Sequence, residues 1–135
     1  MRKIGRPTLV TLAIAALPCL AGGEGPATVP HRSPIALALS ADGKRLLTAN
    51  QTAGTVSLVD VEARKVLDEV SVGEKPAGVA FAPDGRRAVV ANWYGYDVAV
   101  LEAKDDKLAV VGRVEVGPEP RGVAIAPDGR TAYVA

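Results

Sequence analysis

Three segments of this chain share one pattern, and that repeat limits the fold more than any other feature. The first runs Ser33-Pro34-Ile35-Ala36-Leu37-Ala38-Leu39, turns at Ser40-Ala41-Asp42-Gly43, and ends in Leu47-Thr48-Ala49-Asn50. The second passes from Lys75-Pro76-Ala77-Gly78 through Pro83-Asp84-Gly85 to Val90-Ala91-Asn92. The third passes from Glu119-Pro120-Arg121-Gly122 through Pro127-Asp128-Gly129 to Val134-Ala135. Asp42 and Asp84 are 42 residues apart, and Asp84 and Asp128 are 44 apart. A fixed period of this size indicates stacked supersecondary units, each unable to bury a core alone.

Each unit reads as four short strands. In the second, Gly78 to Ala82 is small and apolar throughout, the pattern of a strand buried on both faces. Pro83-Asp84-Gly85 is a tight turn: Pro sets φ, Asp bonds the following backbone, and Gly accepts positive φ. Asp42-Gly43 and Asp128-Gly129 occupy the same turn in the other units. Arg87 to Ala91 is a second strand, Asn92 to Tyr96 a loop, and Asp97 to Glu102 a third strand. Lys104 to Lys107 is a charged turn. In Val110 to Val116, Gly112, Val114 and Val116 share one face and Arg113 and Glu115 the other, as in an outer strand. With aromatics at only 4%, the core must be built from Val, Ala and Leu. The fold class is therefore all-β: four-stranded antiparallel units that, arranged radially, make a β-propeller. The repeats divide the chain into blades at 31–73 and 74–117 and a partial blade at 118–135.

The sequence of landmarks is specific. A Val-Gly-x-x-Pro-x-Gly entrance, a strand, Pro-Asp-Gly-Arg, a strand, Ala-Asn, a loop and Val-x-Val together resemble the YVTN-type β-propeller repeat. The naming tetrad appears as Leu47-Thr48-Ala49-Asn50 and Val89-Val90-Ala91-Asn92, and the third copy reaches Tyr133-Val134-Ala135. The resemblance covers about residues 31–135. It implies an exported propeller of about seven blades, on the order of 300 residues, so the chain is expected to be an N-terminal fragment. Such repeats occur in exported and surface-layer proteins and in lactonase-like propellers, and are similar to the propellers of cytochrome d1 and quinoprotein-type redox enzymes.

Residues 1–21 have the order of a secretory signal peptide: Arg2, Lys3 and Arg6, then an apolar run from Thr8, then small residues at the cleavage site after Ala21. The run is too short for a transmembrane helix of about 20 residues. Pro18, before Cys19, departs from the small residue a lipoprotein signal places there. Residues 22–30 read as a Gly/Pro linker. The expected location is the periplasm, the cell surface or the medium, with no membrane span after cleavage. Residues after Gly23 hold 13 basic and 15 acidic side chains, and no basic run interleaves with aromatics, so nucleic acid is not an expected partner.

In a propeller, the loops joining the second strand to the third, and the fourth to the next blade, share one face. Topology thus predicts one rim holding His31, Arg32, Lys75, Arg121, Asn50, Asn92, Trp93, Tyr94 and Tyr96. Trp93-Tyr94-Gly95-Tyr96 carries the sole Trp and two of the three Tyr. It can stack on a sugar, a base or a partner chain, or cap the adjacent blade. The matching loop of the first copy is Gln51-Thr52-Ala53-Gly54, so the copies differ most here. His31, the only histidine, has no partners for metal binding or general catalysis, and no Cys-x-x-Cys-His for haem, nucleophile elbow or phosphate loop is present. Asp42, Asp84 and Asp128 recur because the turn demands them. The residues call for no cofactor and no metal. They leave two functions open: a module binding a protein or small molecule, or the propeller of an enzyme, lactonase-like or redox.

Overall fold

The computed structural model describes residues 31–135; the signal peptide, linker and Cys19 considered above lie outside the described residues. Short apolar runs separated by turns give ten strands and no helix among these residues. They are β1 (Pro34–Leu39), β2 (Arg45–Asn50), β3 (Thr55–Asp60), β4 (Lys65–Ser71), β5 (Pro76–Phe81), β6 (Arg87–Asn92), β7 (Asp97–Lys104), β8 (Lys107–Glu115), β9 (Val123–Ile125) and β10 (Ala132–Val134). Two four-stranded antiparallel meanders form, β1 to β4 and β5 to β8, each paired in chain order; β9 and β10 make a two-stranded sheet.

The turns follow from their chemistry. Gly43, Gly85 and Gly129 take φ of 72°, 66° and 69°, and their N–H groups bond the carbonyls of Ser40, Ala82 and Ala126 at 2.9 Å each. Asp42, Asp84 and Asp128 accept the backbone N–H two residues on, from Lys44, Arg86 and Arg130, at 2.9–3.0 Å. A Cβ on Gly43 or Gly85 would meet nothing within 4 Å. Positive φ alone therefore selects glycine there.

Register repeats as well. Ile35 in β1 and Ala77 in β5 are bulged out of pairing with β2 and β6, and Leu67 in β4 and Val111 in β8 are bulged at their outer pairings. Bulges increase local twist, and matched bulges give both sheets the same curvature. The charged turn after β7 is tighter than the sequence indicated. Lys104 and Lys107 are themselves a strand pair, and only Asp105 and Asp106 turn, both at positive φ (50° and 62°). That is the hairpin turn whose twist suits the flanking strands.

The core lies between the two large sheets. Leu47, Ala49, Val56 and Leu58 of the first meet Val79, Ala88, Val90, Ala99 and Leu101 of the second, all buried. Each Val or Leu side chain so buried contributes roughly 1.5–3 kcal/mol. β5 touches β1 and β2 on one side and β9 on the other, which explains its run of small and apolar residues. β1 does not share this environment. Leu37 is 64% exposed, with Ile35 and Leu39 beside it, because among the described residues a sheet covers only its Ala36 and Ala38 face. Val114, placed by alternation on a shielded face of β8, is also exposed. Its counterpart Val70 is shielded by the second sheet, whereas β9 packs mainly on β5 and β6.

Candidate functional site

The three copies converge on one rim through a repeated strained residue. Ser33, Lys75 and Glu119, each just before the proline of a copy, have φ of 49°, 54° and 57°. This conformation turns the Ser33 and Lys75 carbonyls toward the following loop. Gln51 N–H donates to Ser33 O at 3.0 Å, and Trp93 N–H to Lys75 O at 2.9 Å. The loop after each Asn is thereby fastened to the loop that enters its own sheet.

Asn50 and Asn92 are the buried pins of these loops, not members of an accessible rim. They are 1% and 0% exposed. Asn50 Nδ2 donates to Thr55 and Ser57, and Thr48 Oγ1 donates to Asn50 Oδ1 at 3.3 Å. Asn92 Nδ2 donates to Asp97 and, at 2.9 Å, to the carbonyl of Val72 at the exit of the first sheet. It thus ties one sheet to the next. Val90 stands where the first copy has Thr48, so Asn92 Oδ1 has no hydrogen-bond partner.

The outer ends of these networks both close on an ion pair, but draw it from different positions. In the first sheet Thr55 and Arg32 both bond Glu69, at 2.6 and 2.8 Å. Burial raises the Glu69 carboxyl, but the Thr55 hydroxyl and Arg32 guanidinium outweigh it and hold it below its ordinary value. In the second sheet the positions of Thr55 and Glu69 are filled by Asp97 and Arg113, paired at 2.9 Å. Arg32 is therefore committed to the first sheet's edge, and His31 is exposed beside it.

Trp93, Tyr94 and Arg121 come together. The Arg121 guanidinium carbon lies 4.1 Å from the Trp93 ring centroid, a cation–π geometry. Tyr94 stacks on Trp93 at 4.6 Å with the rings tilted by 46°. Residues 28 positions apart in sequence (Trp93 and Arg121) thus share one surface across consecutive repeats. The Trp93 Nε1–H is buried without an acceptor. Tyr94 also walls an open cleft of about 280 Å³ with Gln51, Thr52, Glu74 and Lys75, floored by Gly54 and Gly73. The two glycines are in contact: a Cβ on Gly54 would meet the Gly73 carbonyl oxygen at 2.7 Å.

Sequence reasoning did not single out Glu74. Its only signal is that the loop before the strained residue reads Gly73-Glu74-Lys75 in one copy and Gly117-Pro118-Glu119 in the next. Tyr96 stands apart from the cleft. It is half exposed and holds φ of 53° at the position filled by Gly54 in the first copy. Among the described residues no three His, Cys, Asp or Glu side chains gather as metal ligands would.

No protein-family model matches the chain, and no curated protein sequence does. Solved structures do. Hydrazine synthase of Kuenenia stuttgartiensis aligns at 36% identity and a TM-score of 0.72, over 77% of this chain and 29% of that one. The fold is a β-propeller. A 6-phosphogluconolactonase candidate from Bacteroides fragilis superposes on these blades at a TM-score of 0.72 and 24% identity, over 80% of this chain and 33% of its own. A protein of unknown function from Desulfotomaculum acetoxidans gives 0.69 and 25%, over 79% and 36%. The chain spans about a third of the length of these propeller proteins.

Proposed function

We propose that this chain is part of an exported propeller whose blade rim binds a ligand or partner. The carrying observation is the Trp93–Arg121 contact, continued by Tyr94 into the adjacent cleft. Loop aromatics and arginine are the side chains that concentrate binding energy at recognition surfaces. Here they are gathered on one rim, while the shared residues of the repeat are spent on turns and pins. The leader of residues 1–21 supports export, and the landmark residues support the YVTN-type reading.

A photoreactive residue at position 94 tests the binding role. In extract of the source cells it should give a discrete adduct, absent when the same group replaces the exposed Arg86 in the turn at the other end of the strands. Equal labelling from both positions would overturn the proposal. Export is tested by fusing residues 1–30 to a reporter that is active only outside the cytoplasm.

A second reading has its own support. The 36% identity to hydrazine synthase extends over 77% of this chain but 29% of that protein. The propeller would then be one part of a larger redox enzyme. A Cys-x-x-Cys-His elsewhere in the same reading frame would favour this role, and further plain repeats would favour the binding module.

A further inference from the structure

The rim cleft has a composition that selects among ligands, and we infer that it takes a neutral saccharide ring. The inference rests on the reading of this rim as a binding surface. Its volume, about 280 Å³, falls just below the roughly 300–1,000 Å³ of small-molecule pockets. It suits one ring-sized group. One wall is the half-exposed Tyr94 ring, braced from behind by Trp93. A ring that already rests against a neighbour has less side-chain freedom to lose on binding.

The remaining side chains supply both kinds of hydrogen bond. Glu74 accepts, Lys75 donates, and Gln51 and Thr52 do both. A sugar hydroxyl likewise donates and accepts, so neighbouring hydroxyls can serve a carboxylate and an ammonium at once. Glu74 and Lys75 make no ion pair with each other or with any described residue, so both are available. Their charges cancel. A phosphate or carboxylate ligand would meet Lys75 only with Glu74 alongside, which disfavours nucleotides and sugar acids. The cleft joins fixed parts: Tyr94 N–H donates to Glu74 O at 3.3 Å and Trp93 N–H to Lys75 O at 2.9 Å. Binding thus need not order these loops.

Trp93 is the chain's only tryptophan and touches Tyr94, so its fluorescence reports on the cleft. Titration of the full chain with cellotriose, maltotriose and chitotriose should give a saturable change with at least one of them. Binding should weaken about tenfold in Tyr94→Ala, the loss of one stacked face, and also in Glu74→Gln. Glucose 6-phosphate should bind more weakly than the neutral sugars. Glu74→Gln should narrow that gap, a change that a structural role for Glu74 would not produce. Circular dichroism of each variant checks folding. Absence of any saturable change, or affinity unchanged in Tyr94→Ala, overturns the saccharide assignment. If position 94 still crosslinks a protein in that case, the rim remains a binding surface for another class of partner. If it crosslinks nothing, both readings fall.

Discussion

The backbone of Arg121 crosses β5 so closely at Gly78 that a Cβ there would collide with the Arg121 carbonyl oxygen. Glycine at 78 is therefore required by the next repeat and not by its own strand, where it has ordinary φ. The crossing also sets Arg121 over Trp93. Gly78→Ala should cost about 1–3 kcal/mol, the usual range for overpacking, and shift Trp93 emission as Arg121 lifts away. Urea unfolding followed by fluorescence reads both effects. An unshifted spectrum with unchanged stability would mean the crossing does not exist.

Asn92 Oδ1 is buried with no donor, whereas Asn50 Oδ1 receives Thr48. Val90→Thr restores the missing hydroxyl. Burying a hydroxyl without a partner ordinarily costs about 1–3 kcal/mol, and the new bond should return about 1 kcal/mol of it. Val90→Thr is thus expected to be better tolerated than Val98→Thr, which gains no such partner. Equal losses of Tm in the two variants would contradict the equivalence of the two pins.

Gly85 and Gly117 both face open space, but only Gly85 has positive φ (66°). Gly85→Ala should lose about 1–2 kcal/mol to the left-handed conformation. Gly117→Ala should be neutral, or gain about 0.4–1 kcal/mol by restricting the unfolded chain. Thermal unfolding separates them.

Asp42, Asp60, Asp68 and Glu69 all titrate below their ordinary values of 3.8 for Asp and 4.5 for Glu. The leading cause at Asp42 is the Ser40 hydroxyl, and at Asp60 and Asp68 the backbone N–H of Ala63 and Leu108. Each carboxyl is more acidic folded than unfolded, so in the intervening range the unfolded chain binds more protons and stability rises with pH. The contribution is complete above about pH 4.5 and is lost as pH falls through the folded values. Tm should be level around neutrality and drop in acid. Asp68→Asn should flatten that drop, because Leu108 N–H, 2.9 Å from the Asp68 carboxylate, links the second blade to the first.

The blades were legible because a turn is local chemistry. Pro, Asp and Gly at fixed offsets dictate positive φ and an Asp-to-backbone bond whatever surrounds them. Counting strands puts Trp93 and Arg121 on one rim, but their contact emerges only in the fold. The exposure of Leu37 and Val114 could not be read locally, because identical strand patterns are buried or bare according to which sheet lies alongside. Asn50 and Asn92 misled for a related reason. They sit at the rim in sequence, but their amides turn inward to satisfy backbone and hydroxyl groups that only the folded loops assemble. Glu74 escaped notice since no repeat landmark marks it.

Recognition, as proposed, lies in the loop that differs between the blades and not in the residues they share. This is tested by exchanging that loop: Trp93→Gln, Tyr94→Thr and Tyr96→Gly together install the first copy's residues on the second blade. Gly95 is retained, because a Cβ there would lie 2.9 Å from the Asp97 carboxylate that pins Asn92. The exchange should leave the fold intact, since Tyr96→Gly relieves a bulky residue at φ of 53° and offsets the roughly 0.5–1 kcal/mol that glycine costs in chain entropy. The measurement is the yield of adduct captured by a photoreactive group at position 52, across the cleft from Tyr94, in folded wild-type and exchanged chains. Loss of the adduct with circular dichroism unchanged is the expected result. An undiminished adduct on the folded, exchanged chain would contradict the claim.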